Sequence, residues 1–214
     1  SDGSYSSSLV SGKTPVAIVF STTTSTADQA KGFMHGYAMA LKNASTSSTW
    51  GPTGSTPTGA VSTTLTITDY DGLTYTGKIN SSTYPAAYAA ATTFKSTVPN
   101  PNATSGWYLP SIGQWYLICV NLGGMSTSFT DNRTSGSLYW AGQSTVCTSA
   151  LNTALSKAGS GKYDTFAATD QYYWSSSEYS TSNVYSTEFC SNGNMLLNFS
   201  DKGFGFFVRP VLAF

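Results

Sequence analysis

The hydrophobic and polar positions of the N-terminal part of the chain predict two strands and a loop. Residues 15–20 form a β-branched apolar run bounded by turn-forming residues, which is typical of a buried strand. Residues 37–42 predict a second strand in the same sheet, and residues 28–36 predict a short helix or turn between the two. Residues 43–64 consist almost entirely of Ser, Thr, Gly and Pro, which predicts a long surface loop.

The middle of the chain predicts helices. Residues 84–98 begin near a proline, which suits a first helical position, and continue with an alanine-rich run. A second helix is expected after Ser111 as its N-cap and before a glycine pair. Its apolar stripe, at spacings of three and four, comprises Ile112, Trp115, Tyr116, Cys119 and Leu122. Residues 148–158 predict a third helix that packs through two leucines.

The C-terminal part of the chain changes to short strand-like runs separated by Ser, Asn and Gly. This texture predicts an antiparallel meander, with strands at residues 172–175, 184–189, 194–199 and 204–212. Strands, a long loop, helices and then strands together predict an α+β domain. In it, two or three helices lie beside a small antiparallel sheet.

The charge content narrows the classes of partner. Lys and Arg number 10, Asp and Glu number 10, and charged residues make up only 9% of the chain. Because no run of Lys or Arg exists, the sequence argues against nucleic acid as a partner. No apolar stretch reaches the roughly 18 residues that a membrane span requires, so we expect no membrane insertion. The start at Ser1 without a leader predicts a trimmed or mature chain.

The residues that usually carry catalysis are sparse. His35 is the single histidine, and we interpret it as structural because no nucleophile motif accompanies it. Glu178 and Glu188 leave open a glycosidase-like carboxylate pair across a hairpin. Asp69 and Asp71 are the closest acidic pair, and a turn explains them better than a metal. We therefore predict no enzyme activity, no cofactor and no metal site.

The 3 cysteines lack the spacing of a zinc or redox motif. Cys119 lies in an apolar stretch and is expected to be a small buried hydrophobic residue, whereas Cys190 lies in a polar context and is expected to be exposed. A disulfide between Cys119 and Cys147 is left open, because sequence alone does not give connectivity.

Three motifs resemble those of a known fold family. The stretch Gly106-Trp-Tyr-Leu-Pro-Ser-Ile-Gly-Gln-Trp115 resembles the W-x-L-P-[ST]-x-x-[EQ]-W signature of bacterial C-type-lectin-like domains, including those related to formylglycine-generating enzymes. Tyr173-Trp-Ser-Ser-Ser-Glu178 and the terminal Val208-Arg-Pro-Val-Leu-Ala-Phe214 resemble the other two signatures. The resemblance implies one C-type-lectin-like domain over residues 1–214. Residues 1–105 would hold the N-terminal strands, the long loop and the first helix, and residues 106–214 the signatures and a variable region.

Within that group the chain resembles the variable proteins of diversity-generating retroelements. In that family the C-terminal segment of the domain is rewritten to diversify a binding surface, and residues 178–208 occupy the corresponding place. The resemblance implies a noncatalytic adhesin or receptor-binding domain. Its location would be extracellular, on a bacterial cell surface, or on a phage virion. The ligand would be a protein or a glycan on a host, bacterial or phage-receptor surface.

The apolar residues of this window fall on both parities of their strands, so one face cannot bury them all. We therefore expect a solvent-facing contact surface of aromatic and hydroxyl or amide residues, as in antibody paratopes. The candidate ligand-binding residues are Tyr179, Thr181, Asn183, Thr187, Ser191, Asn192, Leu197, Asn198, Phe199, Ser200, Phe204 and Phe206. We expect Trp174, Phe189 and Arg209 to be scaffold, with Arg209 paired to Glu178 or to a backbone carbonyl.

Two other functions fit the sequence. An oxidase with the related formylglycine-generating fold would need Cys190 to meet Cys119 or Cys147 in a cleft. A structural subunit of a pilus or tail would need a strand that completes the sheet of a neighbouring copy. Among ligands, the absence of E-P-N and W-N-D motifs favours a protein over a calcium-bound sugar.

Overall fold

The chain forms two sheets and short helices in a computed structural model, which describes residues 4–214. The helices are α1 (Thr26–Gln29), α2 (Gly72–Ile79), α3 (Pro85–Tyr88), α4 (Ile112–Asn121) and α5 (Ser144–Ser156). The strands are β1 (Ala17–Ser21), β2 (Tyr37–Ala40), β3 (Ser45–Ser48), β4 (Thr130–Asn132), β5 (Ser137–Trp140), β6 (Gln171–Glu178), β7 (Asn183–Phe189), β8 (Met195–Asp201), β9 (Phe206–Val208) and β10 (Val211–Ala213). The α+β class is as predicted. No helix within residues 4–214 has the length and apolar character to cross a membrane.

The smaller sheet has three strands in the order β1-β2-β10 and brings the two ends of the chain together. β1 pairs antiparallel with β2, so the predicted sharing of one sheet is confirmed. The prediction of a buried first strand is wrong. β1 lies at the edge of the sheet and only Phe20 is buried in it.

The larger sheet has seven strands in the order β3-β9-β6-β7-β8-β5-β4. The predicted meander is confirmed in β6, β7 and β8, which pair antiparallel in sequence order. The predicted strand at residues 204–212 is instead two strands in different sheets, because β9 pairs parallel with β6 and β10 pairs with β2. The break falls at Arg209 and Pro210, where proline lacks the N–H that a continuing ladder needs.

The predicted helices are present, with different bounds. α4 begins after Ser111, whose Oγ accepts from the Gln114 N–H while the Gln114 Oε1 accepts from the Ser111 N–H, a capping box. α3 continues through a π-helical turn at Ala89–Thr93 and a 3-10 turn at Phe94–Ser96. α5 starts before the predicted residue 148. α2 was not predicted, because its glycines and threonines give a weak helix pattern.

The main hydrophobic core joins α4, α5 and one face of the larger sheet to side chains of the smaller sheet. Trp115 of α4 is fully buried, and its Nε1 donates to the Trp174 carbonyl at 3.0 Å. Leu151 and Leu155 of α5 are fully buried in the same cluster, as their predicted packing role requires.

The prediction that residues 43–64 form a surface loop is wrong in part. β3 lies within this segment and pairs with β9, and Trp50 is fully buried. The reason is an ion pair deep in the structure: Lys202 donates through Nζ to Glu178 Oε1 and to the Ser55 carbonyl, both at 2.7 Å. The Thr58 N–H donates to the other oxygen of Glu178 at 2.9 Å. A hydroxyl-rich segment is thereby fixed against the sheet.

Arg209 is also fully buried, as expected of scaffold, and backbone carbonyls are its acceptors. Its guanidinium donates to the carbonyls of Leu41 and Asp164 at 2.6 and 2.8 Å and lies 4.6 Å above the Phe166 ring. The alternative partner, Glu178, is instead paired with Lys202. Burial lowers the pKa of Arg209, and the nearby Tyr173 and Asp164 oppose that shift.

Replacing Lys202 should reveal how far the fold depends on the ion pair. We expect Lys202→Met to lower the free energy of unfolding by about 3–5 kcal/mol, because it leaves the Glu178 carboxylate buried without a cation. Urea denaturation measures this loss, and Lys202→Met combined with Glu178→Gln should regain part of it. A loss of less than about 1 kcal/mol in the single variant, the range of an exposed ion pair, would contradict the role assigned to Lys202.

Candidate functional site

The register of β6, β7, β8 and β5 assigns their side chains to two faces. Residues directly opposite one another in antiparallel strands share a face. One such row runs across the sheet through Tyr173, Thr187, Leu197 and Leu138, all fully buried. This row belongs to the inner face, which packs on α4 and α5.

The neighbouring row points away from the core. It comprises Tyr172, Glu188, Leu196 and Tyr139, and all except Glu188 are partly exposed. We call the surface built around this row the outer face. Its members are Tyr139, Tyr172, Ser186, Glu188, Leu196, Asn198, Ser200, Phe204 and Phe206.

Part of the outer face is closed by the chain itself. Trp50 and the alanines of α3 pack there with Trp174 and Phe206, whose rings stack at 4.3 Å. The Trp50 ring in turn lies 4.7 Å from the Lys202 ammonium. In the remainder of the face Tyr172, Leu196 and Tyr139 are partly exposed, and Phe204, beside Phe206, is 56% exposed.

A polar network occupies the centre of the outer face. The Ser186 hydroxyl donates to Glu188 Oε1 at 3.0 Å, and the Ser200 hydroxyl donates to the same atom at 3.4 Å. Burial raises the pKa of Glu188, while the hydrogen bonds from Ser186, Asn198 and Ser200 oppose that rise. The face therefore combines aromatic side chains with a carboxyl group that is only 9% exposed.

The turns at the ends of the meander are also exposed. Asp170, in a left-handed conformation with φ of 60°, accepts from the Ser191 N–H at 2.9 Å and from its hydroxyl at 2.6 Å. These bonds lower the pKa of Asp170. The turn that joins β7 to β8 is thus held against the start of β6.

The structure divides the candidate residues from the sequence into three groups. Asn198, Ser200 and Phe204 lie on the outer face with partly or largely exposed side chains. Phe206 lies on the same face but is buried against Trp174, so its expected contact with a ligand is wrong. Thr181, Asn183, Ser191 and Asn192 lie at the ends of β7, and all but the partly buried Asn183 are exposed. The remaining candidates, on the inner face, are Tyr179, Thr187, Leu197 and Phe199.

The inner-face group corrects the expectation of one continuous solvent-facing surface. Thr187 and Leu197 have no exposed surface, so neither presents a side chain to a ligand. Tyr179 and Phe199 are partly buried and stack on each other at 3.8 Å, above Gly136 with φ of 83°. A Cβ at Gly136 would meet both rings, so this stack belongs to the packing of the frame.

Sequence reasoning missed Tyr172, Ser186, Glu188 and Leu196 as members of the outer face. A signal was present in β7, where the single acidic residue Glu188 follows Ser186 at the strand period of two. The one role that the sequence suggests for Glu188 is that of a partner to Glu178. The register places Val184 opposite Glu178, and Glu188 lies four residue steps, roughly 13 Å, further along β7, which does not favour a carboxylate pair.

The other chemical candidates have structural surroundings. The Asp71 N–H donates to Asp69 Oδ1 at 3.2 Å, which is the predicted turn, and Ser177 donates to Asp69 Oδ2. His35 is exposed, with its ring 6.4 Å from those of Tyr5 and Phe214. Between residues 4 and 214 no His, Cys, Asp and Glu side chains form a group that could hold a metal ion.

All three cysteines are free and buried, so the expected exposure of Cys190 is wrong. Cys190 directly follows β7 and is 8% exposed. Burial raises the pKa of Cys119, which hydrogen bonds to Cys147, and raises that of Cys190 to about 11. A nucleophilic thiol needs a shift in the opposite direction.

Comparisons with known proteins give one structural likeness. No family model matches the chain, and no curated protein matches it. A fimbrial protein from Bacteroides ovatus, solved by crystallography, is similar in fold with a TM-score of 0.58 and 18% sequence identity. The match covers 91% of this chain and 39% of that one, so this chain spans about two fifths of the length of the fimbrial protein. At that identity the likeness concerns the fold alone.

Thiol titration tests the state of the cysteines. We expect the native protein at pH 8 to react slowly with Ellman's reagent, because burial protects the thiols and the pKa of Cys190 is about 11. Unfolding in guanidinium should release 3 reactive thiols. A rapidly reacting native thiol would favour cysteine chemistry, and fewer free thiols after unfolding would show a disulfide.

Proposed function

We propose that this protein is a noncatalytic binding domain with a C-type-lectin-like fold, which contacts its ligand through the outer face and the adjoining turns. The observation that carries the proposal is the outer face itself: Tyr172, Leu196, Asn198 and Phe204 present partly exposed aromatic, apolar and amide groups on one side of a sheet. Such a mixture supplies rigid apolar area and adaptable hydrogen bonds. The ligand is a protein or glycan on a host, bacterial or phage-receptor surface.

The contacts among the three signature segments support the lectin-like assignment. The Ile112 N–H at the start of α4 donates to the Ser177 hydroxyl in β6 at 3.0 Å. Tyr108 pairs with Val211 of the terminal segment through backbone hydrogen bonds of 2.9 Å in both directions. The segments that resemble the family are therefore joined in space, as parts of one frame should be.

The separation of frame and surface supports a diversified segment. Lys202 and Arg209 lie in or beside residues 178–208, yet both are buried and bind the frame. Asn198 and Phe204 lie in the same segment and face outward. Substitution can change the outward group while the buried group holds the sheet, which is what rewriting by a retroelement requires.

A location on the cell surface follows from the proposed adhesin role, and the fold shared with a fimbrial protein is consistent with it. Assembly into a pilus is a second candidate function. β1 lies at the edge of its sheet, and an edge strand can accept a strand from a neighbouring copy. A monomer in solution at high concentration would count against this second function.

The DNA that encodes the protein tests the retroelement proposal. We expect a reverse transcriptase gene nearby and a near-copy of the 3′ end of this gene that differs at adenines. Copies of the gene should differ at the codons of Ser191, Asn192, Asn198 and Phe204 and agree at those of Leu197 and Lys202. If both the near-copy and the clustered variation are absent, the retroelement proposal is wrong. If the variation is centred on the inner face, the proposed binding surface is wrong as well.

A further inference from the structure

The Glu188 carboxylate lies in the middle of the outer face, and among residues 4–214 it has no cationic partner. None of the ion pairs formed within residues 4–214 includes it. Its hydrogen-bond partners are the neutral side chains of Ser186, Asn198 and Ser200. Glu178, by comparison, has the Lys202 ammonium at 2.7 Å. A carboxylate largely withdrawn from water gains most from a cation brought by a partner.

The neighbours of Glu188 suit the stem of a long cationic side chain. Tyr172 stands in the same row, and its ring centroid lies 5.1 Å from that of Phe206. Phe204 follows at 5.9 Å from Phe206, and Tyr139 ends the row on β5. Aromatic rings attract ammonium and guanidinium groups over their faces, and they pack against methylene stems.

A second negative charge lies beside this row. Asp170 is exposed, and its carboxylate accepts from the Tyr172 hydroxyl at 3.4 Å. The negative charges of Asp170 and Glu188 both raise the pKa of Tyr172 and that of Cys190. In a chain with no net charge, this end of the outer face is therefore locally negative. Its charge complement is a cation.

We propose that the outer face binds a protein ligand through a Lys or Arg side chain, which pairs with Glu188 beside the ring of Tyr172. The inference rests on the proposed function and names the chemistry of the ligand for that same surface. Ser186, Asn198 and Ser200 orient the carboxylate. Phe204 and Leu196 contact the apolar residues that flank the cation.

The pairing gives binding a pH dependence whose sign is fixed. The groups near Glu188 are Asp170 and Tyr172 at the start of β6, Cys190 at the end of β7 and Tyr139 on β5. The pKa of Tyr172 is about 12 and that of Cys190 about 11, so both stay neutral, and Asp170 stays ionised because its pKa is lowered. As the pH is lowered, affinity should fall because Glu188 takes up a proton. The fall should begin at a pH above 4.5, the ordinary glutamate pKa, because burial raises the pKa of Glu188.

The test selects a random peptide library, displayed on phage, on the full chain at neutral pH. We expect retained peptides to share a Lys or Arg flanked by apolar residues. Glu188→Gln keeps the acceptor for Ser186 and should weaken peptide binding about tenfold or more. Replacing the Lys or Arg of the peptide by norleucine should weaken binding to the unchanged protein to the same degree. The same replacement should cause no further loss in binding to the Glu188→Gln variant. Asp131→Asn on β4 is the matched control, since it makes the same charge change at an exposed position and should leave affinity unchanged.

The variants Phe204→Ser and Leu196→Ser separate this inference from the proposed function. If the selected peptides carry no Lys or Arg, lose affinity for these two variants and bind Glu188→Gln as well as the unchanged protein, the proposed ion pair is wrong. The proposed binding surface would then remain. Peptides indifferent to all the outer-face variants, or no retained peptides, would overturn both proposals. On a glycan array probed in parallel, retention of neutral glycans through Phe204 and Leu196 without a role for the Glu188 charge would overturn the cationic ligand alone.

Discussion

The buried ion pair between Lys202 and Glu178 is the interaction on which the arrangement of this molecule depends. It joins the end of β6, the turn after β8 and the hydroxyl-rich segment that contains Thr58, which are far apart in sequence. A buried charge pair is favourable only when its remaining hydrogen bonds are satisfied, and here the Ser55 carbonyl and the Thr58 N–H satisfy them. Trp50 is held over Lys202 as a result, and it closes one end of the outer face.

This closure separates the residues that stabilise the fold from those of the proposed binding surface within a short stretch of chain. Lys202 and Leu197 are fully buried. Asn198, which follows Leu197, and Phe204, two residues after Lys202, are in contact with solvent. The strand period of two makes the separation possible, because neighbouring residues point to opposite faces. Outward side chains of the proposed binding surface can therefore be exchanged while the sheet keeps its register.

Local features of the fold could be predicted because their causes are local. Ser111 and Gln114 form a capping box that indicates the start of α4. The short strand-like segments at β6, β7 and β8 indicate a meander. The parity of β8 could not be predicted, since Leu196 and Leu197 are equally apolar and only pairing with β5 and β7 decides which one is buried. Lys202 stands in a turn sequence typical of solvent, so nothing nearby in sequence indicates its distant partner Glu178. The burial of Trp50 and the neutral surroundings of Glu188 also depend on residues distant in sequence, so they could not be predicted either.

The proposed exchangeable surface lies within residues 178–208 and is carried by a fixed frame. Saturation mutagenesis of these positions, displayed on yeast and sorted for folded protein after a heat challenge, tests it most directly. The account predicts that Asn198, Ser200 and Phe204 accept most substitutions, whereas Thr187, Leu197 and Lys202 accept few. Equal tolerance at the two sets of positions, or tolerance at the buried set, would contradict it.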